Sequence, residues 1–183
     1  MSRLHTPATV DDAPEAARAS LHAVAKSLGS VPNLFRVVAN SPAALKGYLG
    51  LSGSFAGAAL DAKTQERIAL AVAEINGCSY CLSAHTYIAR NVAKLDDAEI
   101  TANRNGASND VKADAAVRFA AAVVRSRGHV SDADVAAVRA AGFAEPEIVE
   151  IVLAVALNTF TNYVNEVAGT EIDFPRVTVR NAA

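Results

Sequence analysis

The sequence predicts an all-α fold, and three observations carry that prediction. Alanine and other helix formers dominate, with 51% hydrophobic residues against only 5% aromatics, a balance that favours helix over strand. Apolar segments begin at capping residues and end at glycine. No segment alternates with period two, apart from a weak hint at Arg176-Val177-Thr178-Val179.

The elements follow in order. A first helix spans about Pro14 to Leu28, with Asp11 or Asp12 as cap and Gly29 as stop. Val31-Pro32-Asn33 opens a short helix over Leu34 to Ala39. Ser41 caps the next, with Pro42 at its first position, running to about Ala56. Asp61 caps a helix from Ala62 to Ile75, and Asn76-Gly77 breaks it. A new helix then runs from about Cys78 to Val92. Asp96-Asp97 starts a short one ending near Asn105-Gly106. Ser108 or Asn109 caps Asp110 to Arg127, and Gly128 stops it. Ser131 caps Asp132 to Ala141 before Gly142. Glu145-Pro146 begins a long helix to Ala168, stopped by Gly169. No low-complexity linker interrupts the chain, so residues 1–183 read as a single domain.

Two helices are apolar nearly all round: Ile68-Ala69-Leu70-Ala71-Val72-Ala73, and Ile148-Val149 with Ile151 to Leu157. Such helices lie at the centre of a bundle or in a subunit interface, so a homo-oligomer is expected. Shifted by 84 residues, the two also match each other, with Glu66 on Glu150, Cys78 on Asn162 and Cys81 on Asn165. A degenerate internal repeat explains this, and so does the common use of Ala, Val, Leu and Ile in two buried helices.

The formal net charge is −2 and Lys and Arg are scattered, which gives no surface for nucleic acid. Met1 to Ser20 lacks the apolar central run of a signal peptide. No apolar run reaches the roughly 18 residues of a membrane span. The expectation is a cytoplasmic protein with no membrane partner.

The chemistry concentrates in Cys78-Ser79-Tyr80-Cys81-Leu82-Ser83-Ala84-His85, which holds the only 2 cysteines of the chain. On a helix at about 100° per residue, Cys78, Cys81 and His85 fall within roughly 60° of one another. Residues three apart have Cβ atoms about 5–6 Å apart, and a disulfide needs Cα atoms at roughly 4.4–6.8 Å. The thiols can therefore bridge, and His85 lies within reach of Cys81. Tyr80 should point to nearly the opposite side. In a reducing compartment a close cysteine pair is more often catalytic or metal-binding than a staple. Two buried cysteines acting as small hydrophobes are the bland reading, and a zinc site with His85 and Glu66 is another. A helix start lowers a thiol pKa, which by itself would make Cys78 the more acidic of the two. Glu66 and Glu74 compete as the carboxylate beside the motif, and spacing does not choose between them. His5, His22 and His129 have no such company and read as solvated.

Glu66-x11-Cys78-x2-Cys81-x3-His85 resembles the signature of AhpD-like alkylhydroperoxidases, within the carboxymuconolactone decarboxylase superfamily. The resemblance is clearest from about residue 61 to 92. Val31-Pro32-Asn33-Leu34-Phe35 and Asn162 to Pro175 are similar to the longer, peroxidase-related members. The resemblance implies an AhpD-like helical bundle that assembles as a trimer or hexamer and reduces hydroperoxides without a bound cofactor or metal. It implies that Cys81 attacks the peroxide, Cys78 resolves the sulfenic acid, and His85 and Glu66 relay the proton. An external dithiol carrier, a lipoyl or thioredoxin-like protein, would reset the pair. Where the founding enzymes have a histidine between the cysteines, this chain has Tyr80. A carboxymuconolactone decarboxylase-like lyase, and a redox-sensing or disulfide-exchange protein with little peroxide turnover, are the alternatives.

Overall fold

Residues 2–180 are described by a computed structural model. Among them are nine α-helices: α1 (Glu15–Leu28), α2 (Asn33–Val38), α3 (Pro42–Ser54), α4 (Ala62–Ile75), α5 (Ser79–Asn91), α6 (Asp97–Arg104), α7 (Val111–Ser126), α8 (Asp132–Ala140) and α9 (Glu145–Ala168). A short 3-10 turn, Phe55–Gly57, follows α3. No strand occurs among the described residues, and Arg176 to Val179 is irregular chain. Residue 1 and residues 181–183 of the expected domain lie outside the described residues.

The architecture is organised around α4. Its N-cap Asp61 accepts from the Thr64 backbone N–H at 2.9 Å and from the Thr64 hydroxyl at 2.6 Å. Leu70 and Ala73 face one core, shared with α1, α2, α3, α5 and the C-terminal tail. Ile68, Ala71 and Val72 face a second core, built with α7, α8 and α9. A helix with a core on either side needs an apolar surface all round, which is why this stretch has no solvated face.

The long helix α9 meets that expectation only in part. Ile148, Ile151, Ala154 and Val155 pack into the second core. Val149 and Val152, from the same apolar run, are 67% and 43% exposed. With Ala156, Phe160, Tyr163 and Val167 they form one exposed stripe at helical spacing. By length and composition alone α9, with 24 residues, could cross a membrane. The sequence reading missed this because short polar residues interrupt the run. Here α9 packs on α4, α7, α2 and α5, and its buried face turns polar over its last turns.

Several caps differ from the sequence reading. Asp12 does not cap α1; its carboxylate accepts from the Thr9 N–H and hydroxyl, and α1 starts after Pro14 without a side-chain cap. Neither Ser108 nor Asn109 caps α7. Both donate to the buried Glu99 carboxylate, and Asp110 supplies the cap. Short acidic and hydroxyl side chains close together compete for the same N–H groups, and the position with the right backbone angles wins.

Candidate active site

The site is built at the corner between α4 and α5. Gly77 adopts φ +73°, a left-handed conformation that glycine takes without penalty. The Cys78 N–H reaches back to the Ala73 carbonyl at 3.0 Å, and the Gly77 N–H to the Glu74 carbonyl at 3.2 Å. This doubled closure is a Schellman motif. It returns the chain so that α5 runs beside α4.

Cys78 does not open the helix; it caps it. Its backbone is extended, and its sulfur accepts the Cys81 N–H at 3.3 Å. Sulfur stands where the hydroxyl or carboxylate oxygen of an ordinary N-cap would stand. The helical face shared by the motif therefore begins at Cys81. Both cysteines are free thiols, buried at 0% and 3% exposure.

The hairpin brings Glu66 to His85. His85 Nδ1 lies 2.9 Å from Glu66 Oε1, with both side chains largely buried. A carboxylate only accepts, so Nδ1 carries the proton and donates, which leaves Nε2 as the basic nitrogen. Burial is the largest influence on His85 and works against its charge. The Glu66 carboxylate, through charge and hydrogen bond, overcomes it and raises the imidazole pKa. Glu74 has a different partner. It accepts from Arg104 Nε at 2.7 Å and from the Arg180 N–H at 2.6 Å, tying α6 and the tail to α4. Geometry thus settles which carboxylate meets His85.

The two thiols are driven apart. The Cys81 thiol is held below the ordinary range, first by the hydrogen bond from Cys78. Burial opposes this, and the His85 charge and the Asn165 and Asn162 amides add to the lowering. Cys78 moves up, because it donates to the Cys81 sulfur and is itself buried. A dipole argument alone points the other way. The Cys81 N–H on the capping sulfur does lower its pKa, but the hydrogen bond that Cys78 gives to Cys81 and its burial outweigh this, while Cys81 collects the side-chain donors.

Cys81 and His85 line a cavity of about 520 Å³, a size suited to a small organic molecule. Leu34, Ala69, Ile88, Ala154 and Leu157 give it apolar walls. Tyr48 closes one side, its hydroxyl pKa pushed up to about 12 by burial and then by the Cys81 charge. Tyr80 leaves the thiol face as its helix position requires, yet it still reaches the cavity wall. Its hydroxyl accepts the Leu34 N–H at 3.1 Å, and its ring packs edge-on against Phe174. It anchors α2 and the tail to the site helix. His5, His22 and His129 are exposed. Among the described residues no group of three or more His, Cys, Asp and Glu is placed to hold a metal ion.

The sequence reading missed the contribution of α9. Asn158, Thr161, Asn162 and Asn165 are buried on the face that packs towards α4 and α5. Asn165 Nδ2 donates to Cys81 Sγ at 3.2 Å. The Asn162 side-chain oxygen accepts from Asn76 at 2.9 Å. Asn158 lies beside His85 and favours its charged form. The signal was present: these residues continue the spacing of Ile148, Ile151 and Val155, placing amides where the period calls for aliphatic side chains. The 84-residue shift set Asn165 on Cys81 as a lost thiol. In the fold the two touch, and α9 runs unbroken where α4 and α5 are separated by their turn.

Residues 42–125 match the Carboxymuconolactone decarboxylase family. This segment runs from α3 into α7 and contains Glu66, Cys78, Cys81 and His85. A peroxidase-related protein of Ralstonia eutropha JMP134 with the alkylhydroperoxidase AhpD core is 25% identical; the match covers 94% of this chain and 92% of that one, with a TM-score of 0.82. An uncharacterized peroxidase-related protein of Silicibacter sp. TM1040 is 24% identical over 93% and 91% of the two chains, with a TM-score of 0.80. The debrominase Bmp8, solved with 2,3,4-tribromopyrrole, is 22% identical over 92% and 90%, with a TM-score of 0.77. No curated protein matches the chain. That segment, a little under half of the chain, is similar to the Carboxymuconolactone decarboxylase family, and the fold is AhpD-like.

Proposed function

We propose that this AhpD-like chain is a thiol-dependent peroxidase that reduces organic hydroperoxides, or hydrogen peroxide, through its cysteine pair. One observation carries the reading: the acidic thiol, Cys81, lines an apolar cavity together with a histidine oriented by a buried carboxylate.

His85 takes the Cys81 proton while Glu66 holds the imidazole in the Nδ1–H tautomer and stabilises its charge. The thiolate attacks one peroxide oxygen. An S–O bond forms, the O–O bond breaks, and the departing alkoxide takes the proton from His85 and leaves as alcohol. Cys81 is now a sulfenic acid. The Cys78 sulfur attacks it, an S–S bond forms, and hydroxide leaves with the Cys78 proton as water. A dithiol of the lipoyl or thioredoxin class then reduces the disulfide. The sum is one hydroperoxide and one dithiol giving alcohol, water and a disulfide.

The apolar walls favour a hydroperoxide with a hydrocarbon body. The cytoplasm, where thiols stay reduced, suits the free dithiol. A homo-oligomer, trimer or hexamer, belongs to the same proposal and is supported by the exposed apolar stripe of α9; light scattering of the purified chain measures it. Free thiols should be titrated on pre-reduced protein before and after one equivalent of cumene hydroperoxide. Loss of both thiols within seconds, reversed by a dithiol, is expected. Two thiols that survive excess peroxide overturn the reading. Activity that persists in a double Cys→Ser variant favours a lyase.

A further inference from the structure

Two asparagines on α9 surround Cys81 with more donor capacity than the fold uses. Asn162 and Asn165 are 0% and 2% exposed. Asn165 Nδ2 donates to the Cys81 sulfur. Asn76 takes the Asn162 oxygen and so fixes which end of that amide is free. The free end, Asn162 Nδ2, is buried without a hydrogen-bond partner among the described residues, and so is Asn165 Oδ1. Buried amide groups are nearly always satisfied, and unpartnered ones call for an explanation. Both amides lie beside the sulfur and favour its charged form.

We propose that Asn162 and Asn165 form an amide cradle that holds Cys81 as a thiolate and thereby selects it, rather than Cys78, as the nucleophile. The inference rests on the reading of Cys81 as the attacking thiol and adds the groups that make it so. Side-chain N–H donors in a buried site stabilise an anion much as backbone donors do in an oxyanion hole. Both asparagines lie outside the segment matched to the family, so α9 supplies what the motif lacks.

The test is the thiolate titration of the reduced protein. Absorbance at 240 nm is followed against pH, and pulse alkylation with iodoacetamide is read by mass spectrometry at each cysteine. The other titratable groups facing this sulfur stay in place in every variant: Cys78, His85, Tyr48 and Tyr80, with Glu66 behind His85, Lys63 along the cavity and Glu166 beyond Cys78. Asn165→Ala should raise the Cys81 pKa by about one unit, a roughly tenfold loss of thiolate at pH values below it. Asn165→Asp, which sets a carboxylate against the sulfur, should raise it further. Asn162→Ala should raise it less than either. A merely structural asparagine would give no such order. A Cys81 pKa that is the same in wild type and in folded Asn165→Ala overturns the cradle. If no variant folds, the wild type alone decides: alkylation of Cys78 at a lower pH than Cys81 overturns it. None of these measurements uses peroxide. A chain that ignores hydroperoxides would retire the peroxidase reading and leave the thiol result standing.

Discussion

Two glutamates on α4, eight residues apart, show how the partner decides what a buried carboxylate can do. Glu66 and Glu74 are similarly buried, with side-chain exposures of 12% and 10%. Each accepts a short hydrogen bond from a nitrogen on another helix, at 2.9 Å and 2.7 Å. The partner makes the difference. Arg104 brings a guanidinium, whose five donors have a fixed fork geometry, and with it Glu74 forms an ion pair that fastens α6 and the tail. His85 brings an imidazole, a group that can both gain and lose a proton, so there the same carboxylate orients the ring and raises its pKa. A buried carboxylate near a cysteine motif is therefore not evidence of catalysis until its partner is known.

The largest effect should come from exchanging the roles by mutation. Glu66→Gln should slow peroxide-driven oxidation of the thiols by about a hundredfold or more, the range of general base catalysis, in a protein that still folds. Glu66→Asp should recover part of the rate, because the carboxylate remains. Glu74→Gln should leave the rate close to wild type. Equal losses at both positions, in stopped-flow thiol oxidation, would erase the distinction.

Stability should rank the pair the other way. Removing one partner of a largely buried ion pair costs about 3 kcal/mol, so Glu74→Gln should lower the denaturation midpoint clearly more than Glu66→Gln. Urea melts of the two variants measure this directly, and a larger loss at Glu66 would contradict it.

The pH dependence should separate them further. His85 has a folded pKa above its ordinary 6.5, so the Glu66–His85 pair contributes stability that is fully present below about pH 6.5. That contribution is lost as pH rises through the folded value. The stability difference between wild type and Glu66→Gln should therefore be greatest at mildly acidic pH and shrink on the alkaline side. The Glu74→Gln difference should stay level across the same window. A level profile for both would mean that His85 gains nothing from Glu66.

The smallest effect expected is at the turn that follows both residues. A Cβ at Gly77 would meet no atom within 4 Å, so Gly77→Ala should cost only the strain of a left-handed backbone, about 1 kcal/mol. The Arg104–Glu74 tie should survive it. The Cys78 cap, one residue on, should show the change as altered thiol reactivity. Unchanged thiol reactivity with a normal melt would show that the cap geometry does not depend on this turn.

How much of this was legible in the sequence varied with the range of the forces involved. The bounds of α4 were readable to the residue because Asp61 and Asn76-Gly77 act within one turn of the chain. The cysteine and histidine spacing was readable for the same reason. Caps failed where several short polar residues competed locally, as at Asp12 and at Ser108-Asn109. Glu66 against Glu74 was undecidable, since the choice depends on whether α5 or α6 packs over each. The asparagines of α9 stood in plain view as polar residues on an apolar period. Their purpose depended on a sulfur 84 positions away from Asn165.

By itself the sequence determined the helices, the break that returns the chain, and the set of reactive groups, because propensity, capping and turn chemistry act between near neighbours. Only the tertiary structure decided which carboxylate meets the histidine, which thiol is acidic, and which face of α9 is buried. Hydrogen bonding, burial and charge reach a few ångströms through space, and packing alone determines which residues lie within that distance.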